Sequence, residues 1–211
     1  MDGTETSARE GLTPDLLESA VRAIVRSAAA CASYCEHVEH NEPATTQQVV
    51  HAAEQLRETA VQLAAAAGVS LSDAYVTRIR EVESASLHQH GMASGTSELA
   101  GADALDAART WADFQVGQLA HDRQFHPDVF GLPKVEQLRH YTFHVTKLAG
   151  LLVDAIDAAT WEDFSTERLA DVAVFGVKLA TVCNEKLPPT RLEASAQSEG
   201  ASASGNPEAR A

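Results

Sequence analysis

Apolar residues recur at steps of three and four along most of this chain, and helix-stopping residues close the runs. Leu17, Ala20, Ile24, Cys31, Tyr34 and Val38 form one stripe, and Val49, Ala53, Leu56, Ala60, Leu63 and Ala67 form another. That period sets each series on one face of an α-helix. Thr13-Pro14 supplies an N-cap and a proline at the first helical position. Pro43 prevents the first helix from continuing, Thr45 or Thr46 caps the second, and Gly68 stops it. Ser70 with Asp73 resembles a capping box and opens a third helix through about Glu83.

The second half follows a similar order. A helix is expected from about Glu98 to Gln124, a loop around His126-Pro127 and Gly131, and a long helix from Pro133 to about Ala158. That long helix carries Val135, Leu138, Val145, Ala149, Leu152 and Ile156 on one stripe. Ser165 is placed to cap a last helix through about Lys186. Its stretch Val172–Val177 is apolar nearly all round, so this helix is either central in the bundle or part of a subunit interface; a homo-oligomer is the expected assembly.

Hydrophobic residues make up 45% of the chain and aromatics 5%, so the core is built from Ala, Val and Leu, whose small side chains let helices approach closely. Alternating strand patterns are scarce. The expected fold is an all-α antiparallel bundle of about six helices. Two related three-helix units, 13–83 and 98–189, are one arrangement of it, and a single joint bundle is the other. Residues 1–12, a linker at 84–97 and a tail at 190–211 are expected to be disordered; from Glu193 on, the tail has no large apolar residue to bury.

The formal net charge of −14 repels a phosphate backbone, and Lys and Arg are scattered singly, so no nucleic-acid partner is expected. No apolar run reaches membrane-spanning length, and the polar N-terminus lacks a secretory h-region, so no membrane association is expected. Three cysteines, Cys31, Cys35 and Cys183, form no disulfide framework and suit a reduced, cytoplasmic setting. The first two lie on or near the apolar stripe, which suits core packing.

Candidate chemistry concentrates between Trp111 and Ile156, which holds His121, His126, His140 and His144. His140 and His144 are one helical turn apart and face the same way, a spacing that suits two ligands of one metal ion. His121, Asp122, His126 and Asp128, from the preceding helix and loop, are candidates to complete that site; otherwise the two aspartates only shape the loop. Asp171 interrupts an apolar sequence on the last helix, and a carboxylate there needs a partner. A metal, Arg168 or a histidine of the long helix would serve. Glu36, Glu39, Glu54 and Glu58 are spaced by one turn on adjacent helices, either as oxygen ligands for Mg²⁺ or as a solvated acidic face.

The helix order and several short segments resemble the all-α nucleotide pyrophosphohydrolases of the MazG-like group. Phe143–Ala149 and Arg168–Val172 are similar to that family's two metal-binding helices. Glu36–Glu39 followed by Glu54–Arg57 shows a comparable spacing, and Gly68–Ala74 resembles the turn that follows. Here His144, Lys147 and Arg168 stand at acidic ligand positions of the second half, leaving Asp171, while Cys35 and Arg57 stand at acidic positions of the first. The resemblance implies a Mg²⁺ or Mn²⁺ cofactor held by carboxylates and a nucleotide substrate cleaved between its α and β phosphates.

Three functions are therefore expected to compete. One is a divergent metal-dependent nucleoside triphosphate pyrophosphohydrolase, with Asp171, His140, His144, Glu36, Glu39 and Glu54 as metal candidates and Lys147, Arg168, His121 and His126 against the substrate. Another is a non-catalytic helical protein that oligomerises or binds a partner. The third is a histidine-based metal protein built on His121, His126, His140 and His144.

Overall fold

The protein is described by a computed structural model covering residues 11–89, 109–161, 164 and 168–192. It is an all-α helical bundle. Helix α1 spans Pro14–Glu39, α2 Gln47–Ala67, α3 Leu71–Gln89, α4 Trp111–Phe125, α5 Pro127–Phe130, α6 Lys134–Asp157 and α7 Leu169–Val182. No strand is found among the described residues.

The helix ends follow local chemistry. Thr13 Oγ1 accepts from the Leu16 amide at 3.2 Å, satisfying one of the amides a helix start leaves open. Ser70 Oγ does the same for Asp73 at 3.2 Å. Thr46 precedes α2 without a side-chain cap, while Thr45 Oγ1 accepts from the Gln47 amide at 3.3 Å. Gly68 closes α2 at φ +66°, the left-handed conformation that glycine adopts without a Cβ penalty. Helix α4 opens on a reciprocal capping box between Thr110 and Asp113. The sequence pattern places this start near Glu98, but residues 98–108 lie outside the described residues, as does Ser165.

Three expected boundaries move. Helix α3 continues to Gln89, so the stretch expected as a linker from 84 begins as helix. Helix α7 ends at Val182 rather than near Lys186, with Asn184 at φ 58° just beyond it. Residues 190–192, expected as part of the disordered tail, are ordered against the bundle. The Trp111 amide donates to the Thr190 carbonyl at 3.1 Å, the Ala112 amide to Pro188 at 3.2 Å, and Leu192 is buried. These carbonyls occupy the open amides of the first turn of α4, which ties the segment down. At the other terminus, Leu12 packs against the core.

The two halves share one core. Helix α7 lies at the centre, packed most extensively on α2 and also on α3, α4 and α6, while α1 packs on both α2 and α6. The core draws Ile24, Leu56, Leu63 and Tyr75 from the first half and Phe114, Leu138, Leu152 and Leu179 from the second. Two separate three-helix units are therefore not formed. Helix α7 is buried on nearly every side, Leu169, Ala170, Val172–Val177, Leu179 and Ala180 included. The apolar circumference that suggested a subunit interface is thus covered within the chain. At its crossing with α2, a Cβ on Gly176 would sit 2.9 Å from the Ala53 carbonyl oxygen and 2.8 Å from Arg57 Cγ. Only glycine permits that approach, which brings α7 onto the backbone of α2 at Ala53.

Candidate functional site

On its other side α7 borders a cavity of about 450 Å³ enclosed with α3, α4, α5 and α6. All four histidines of the Trp111–Ile156 stretch line it. His140 and His144, one turn apart on α6, have ring centroids 4.7 Å apart, and His144 stacks on Phe175 of α7 at 5.0 Å. His121 projects from the last turn of α4. His126 is the residue at which α4 ends, its amide held by the Asp122 carbonyl at 3.0 Å, and Pro127 starts the short helix α5 directly after it. That break turns the His126 ring back to within 5.3 Å of His121.

Behind the histidines lies a buried polar network. His121 Nδ1 meets Glu83 Oε1 of α3 at 2.9 Å, both side chains almost fully buried. Burial pushes the His121 imidazole down to about 4, with Lys178 acting in the same direction and Asp122 against it. The ring is therefore neutral near pH 7. The tautomer that donates Nδ1–H to Glu83 leaves Nε2 with a lone pair. Asp122 Oδ1 accepts from Gln118 Nε2 at 2.8 Å and pairs with Lys178 Nζ at 2.8 Å. Gln118 Oε1 in turn accepts from the Tyr75 hydroxyl at 2.5 Å. Burial, assisted by Lys178, also lowers His126 and His140; burial, His140 and Lys178 lower His144.

His121, Asp122 and His126 each offer a ligand atom within 4.8 Å of the other two, and this is the one such set among the described residues. Bonds of about 2.0–2.1 Å from one ion would need these atoms to close to roughly 3.4 Å apart. Three protein ligands would leave an ion further coordination positions for other groups. His140 and His144 line the same space from α6, and Asp128 from α5.

The other candidates go elsewhere, Asp171 excepted. Asp171 lines the cavity, but its carboxylate is held by Arg78 of α3 (Nε–Oδ1 3.0 Å) and approached by Arg168 at 3.8 Å. Glu36 is exposed, Glu39 pairs with Arg139 of α6, and Glu54 lies 3.7 Å from His51 on the outer face of α2. Lys147 is exposed outside the cavity, and Arg168 borders a shallow hollow with Leu151 and Phe164. Cys31 and Cys35 are buried in the core, and burial pushes the Cys31 thiol up to about 12.

Glu83, Arg78 and Lys178 escape a sequence reading, although one of them leaves a trace. Lys178 follows Asp171 by two helical turns and is the second charged residue to interrupt the apolar surface of α7 on that face. Glu83 and Arg78 reach their partners from α3, across 38 and 93 residues of chain, which no local pattern records.

In comparisons with known proteins, no family model, no curated protein and no solved structure matches the chain.

Proposed function

We propose that this protein is a histidine-based metal-binding bundle that holds one divalent transition-metal ion through His121, Asp122 and His126, with an open coordination position facing the cavity. The observation that carries this reading is the convergence of three ligand atoms within 4.8 Å on a wall where Glu83 supports His121. A carboxylate behind a ligating imidazole fixes its tautomer and raises its basicity. Two imidazoles with one carboxylate suit Zn²⁺, Fe²⁺ or Ni²⁺ better than Mg²⁺, which prefers an all-oxygen shell. An incomplete protein shell inside a cavity is the arrangement of a reactive site, where the ion activates a bound water or polarises a substrate oxygen.

Elemental analysis of protein purified without a histidine tag tests this directly, paired with thermal-shift titrations of Zn²⁺, Ni²⁺, Mn²⁺ and Mg²⁺. A ligand that binds only the folded state raises the melting temperature by mass action. The expected outcome is about one ion per chain, with stabilisation by Zn²⁺ or Ni²⁺ that is lost in His126→Ala. No bound metal and no shift would sink the reading.

A second reading is a Mg²⁺- or Mn²⁺-dependent pyrophosphohydrolase acting on a nucleotide. It is favoured by Asp171 on the cavity wall beside the cations Arg78 and Lys178, which suit phosphate oxygens. Release of pyrophosphate from a panel of nucleoside triphosphates tests it, and the absence of any release with either metal removes it.

A further inference from the structure

We infer that the metal-loaded site takes a small carboxylate with an apolar body, which bridges the ion and Lys178. This deepens the metal reading and rests on it. Among the described residues Lys178 has one carboxylate partner, Asp122 at 2.8 Å, and both side chains are about nine-tenths buried. The same carboxylate belongs to the only set of ligand atoms among the described residues that a metal can use. A divalent ion and the ammonium therefore draw on one aspartate. The nearby Arg78 does not change this, because Asp171 already neutralises it.

An ion bound through Asp122 Oδ2, with Lys178 still on Oδ1, leaves this one carboxylate between a divalent cation and a buried ammonium. The aromatic faces of Tyr141 and Phe175, with centroids 5.6 Å and 5.7 Å from Nζ, soften that position but carry no net charge. Buried positive charge in excess of its carboxylate is costly, and an anion in the open coordination position relieves both cations at once. The remaining wall selects the body of that anion. Val82, Val129, Val174 and Phe175 make most of it apolar. A cavity of about 450 Å³ accommodates a ring or a short chain behind the charged end.

The experiment is calorimetric titration of untagged full-length protein with benzoate, with and without saturating Zn²⁺, using benzyl alcohol and inorganic phosphate as comparison probes and elemental analysis of the same samples. Benzoate is expected to bind at least about tenfold more tightly to the zinc-loaded protein, and saturating benzoate to tighten Zn²⁺ by the same factor, because coupling between two ligands is reciprocal. Benzyl alcohol should show no such coupling. In Lys178→Met, Zn²⁺ is expected to bind more tightly than in wild type while the benzoate coupling disappears. Wild-type coupling decides the matter even where that variant folds poorly. Zinc bound without any coupling to benzoate overturns the carboxylate inference and leaves the metal reading standing. Coupling to phosphate but not to benzoate overturns the apolar-body assignment, and absence of zinc overturns both.

Discussion

Helix α7 has two very different sides. Toward α2 it is packed so closely that Gly176 has no room for a Cβ, with Ala53 and the stem of Arg57 directly opposite. Toward α3, α4 and α6 the same helix presents Asp171, Val174, Phe175 and Lys178 to an open cavity whose charges are held in pairs. One side obtains its stability from contact density. The other gives up contacts and relies on buried polar pairs, which are costly to form and more costly to break. The histidine-lined cavity is found on the second side, where close packing has been relinquished.

The largest test breaks a pair on the cavity side. Asp122→Ala strands the Lys178 ammonium and is expected to lower unfolding stability by about 3–5 kcal/mol. The double variant Asp122→Ala/Lys178→Met should regain much of that loss, and a urea double-mutant cycle measures the difference. A comparable loss from both the single and the double variant would show that the pair does not hold this side together.

Leu56→Ala probes the packed side. Leu56 is fully buried on α2, and removing its side chain is expected to cost about 2–5 kcal/mol. The contrast sharpens with added volume. Ala53→Val, beneath the α2–α7 crossing, should cost about 1–3 kcal/mol, whereas Val174→Ile, which borders the cavity, should cost less than about 0.5 kcal/mol. Equal costs in denaturant unfolding would erase the distinction between the two sides.

Acid should also act on the cavity side. The folded-state pKa of His121, about 4, lies below its ordinary value of 6.5, so its contribution is present in full above 6.5 and is lost as pH falls toward 4. Metal-free protein should therefore lose stability over that window, at a rate of up to roughly 1.4 kcal/mol per pH unit from this group. His121→Gln should flatten the slope between pH 6.5 and 4 in melting experiments. An unchanged slope would mean that Glu83, Asp122 and Lys178 leave the buried ring as easy to charge as one in water. The smallest effect belongs to the packed side: Cys31, with its thiol near 12, should resist iodoacetamide at pH 8 in the folded protein, and rapid labelling would show that this side is not dry.

The bundle and its stops are legible in the sequence because helix signals are local. Thr13-Pro14, Gly68 and the apolar circumference of Val172–Val177 each act within a turn or two of themselves. The histidine wall is legible for the same reason, since the i, i+4 spacing of His140 and His144 and the break at His126-Pro127 fix where those rings lie along the chain. The carboxylates are not legible in that way. Glu36, Glu39 and Glu54 have helical spacing, but spacing does not say whether a face meets solvent or protein, and all three face outward. What makes the site polar and held, the reach of Glu83 to His121 and of Arg78 to Asp171, depends on α3 lying against α4 and α7, which is settled only by the assembled core.

The position of α7 also has a consequence for synthesis. A chain emerging from the ribosome presents its N-terminal segments first. The stretch of α2 around Ala53 and Arg57 is completed late, by Gly176, more than a hundred residues downstream. Throughout that interval its close-contact surface lacks α7. The core therefore closes only after α7, Leu169–Val182, has been made.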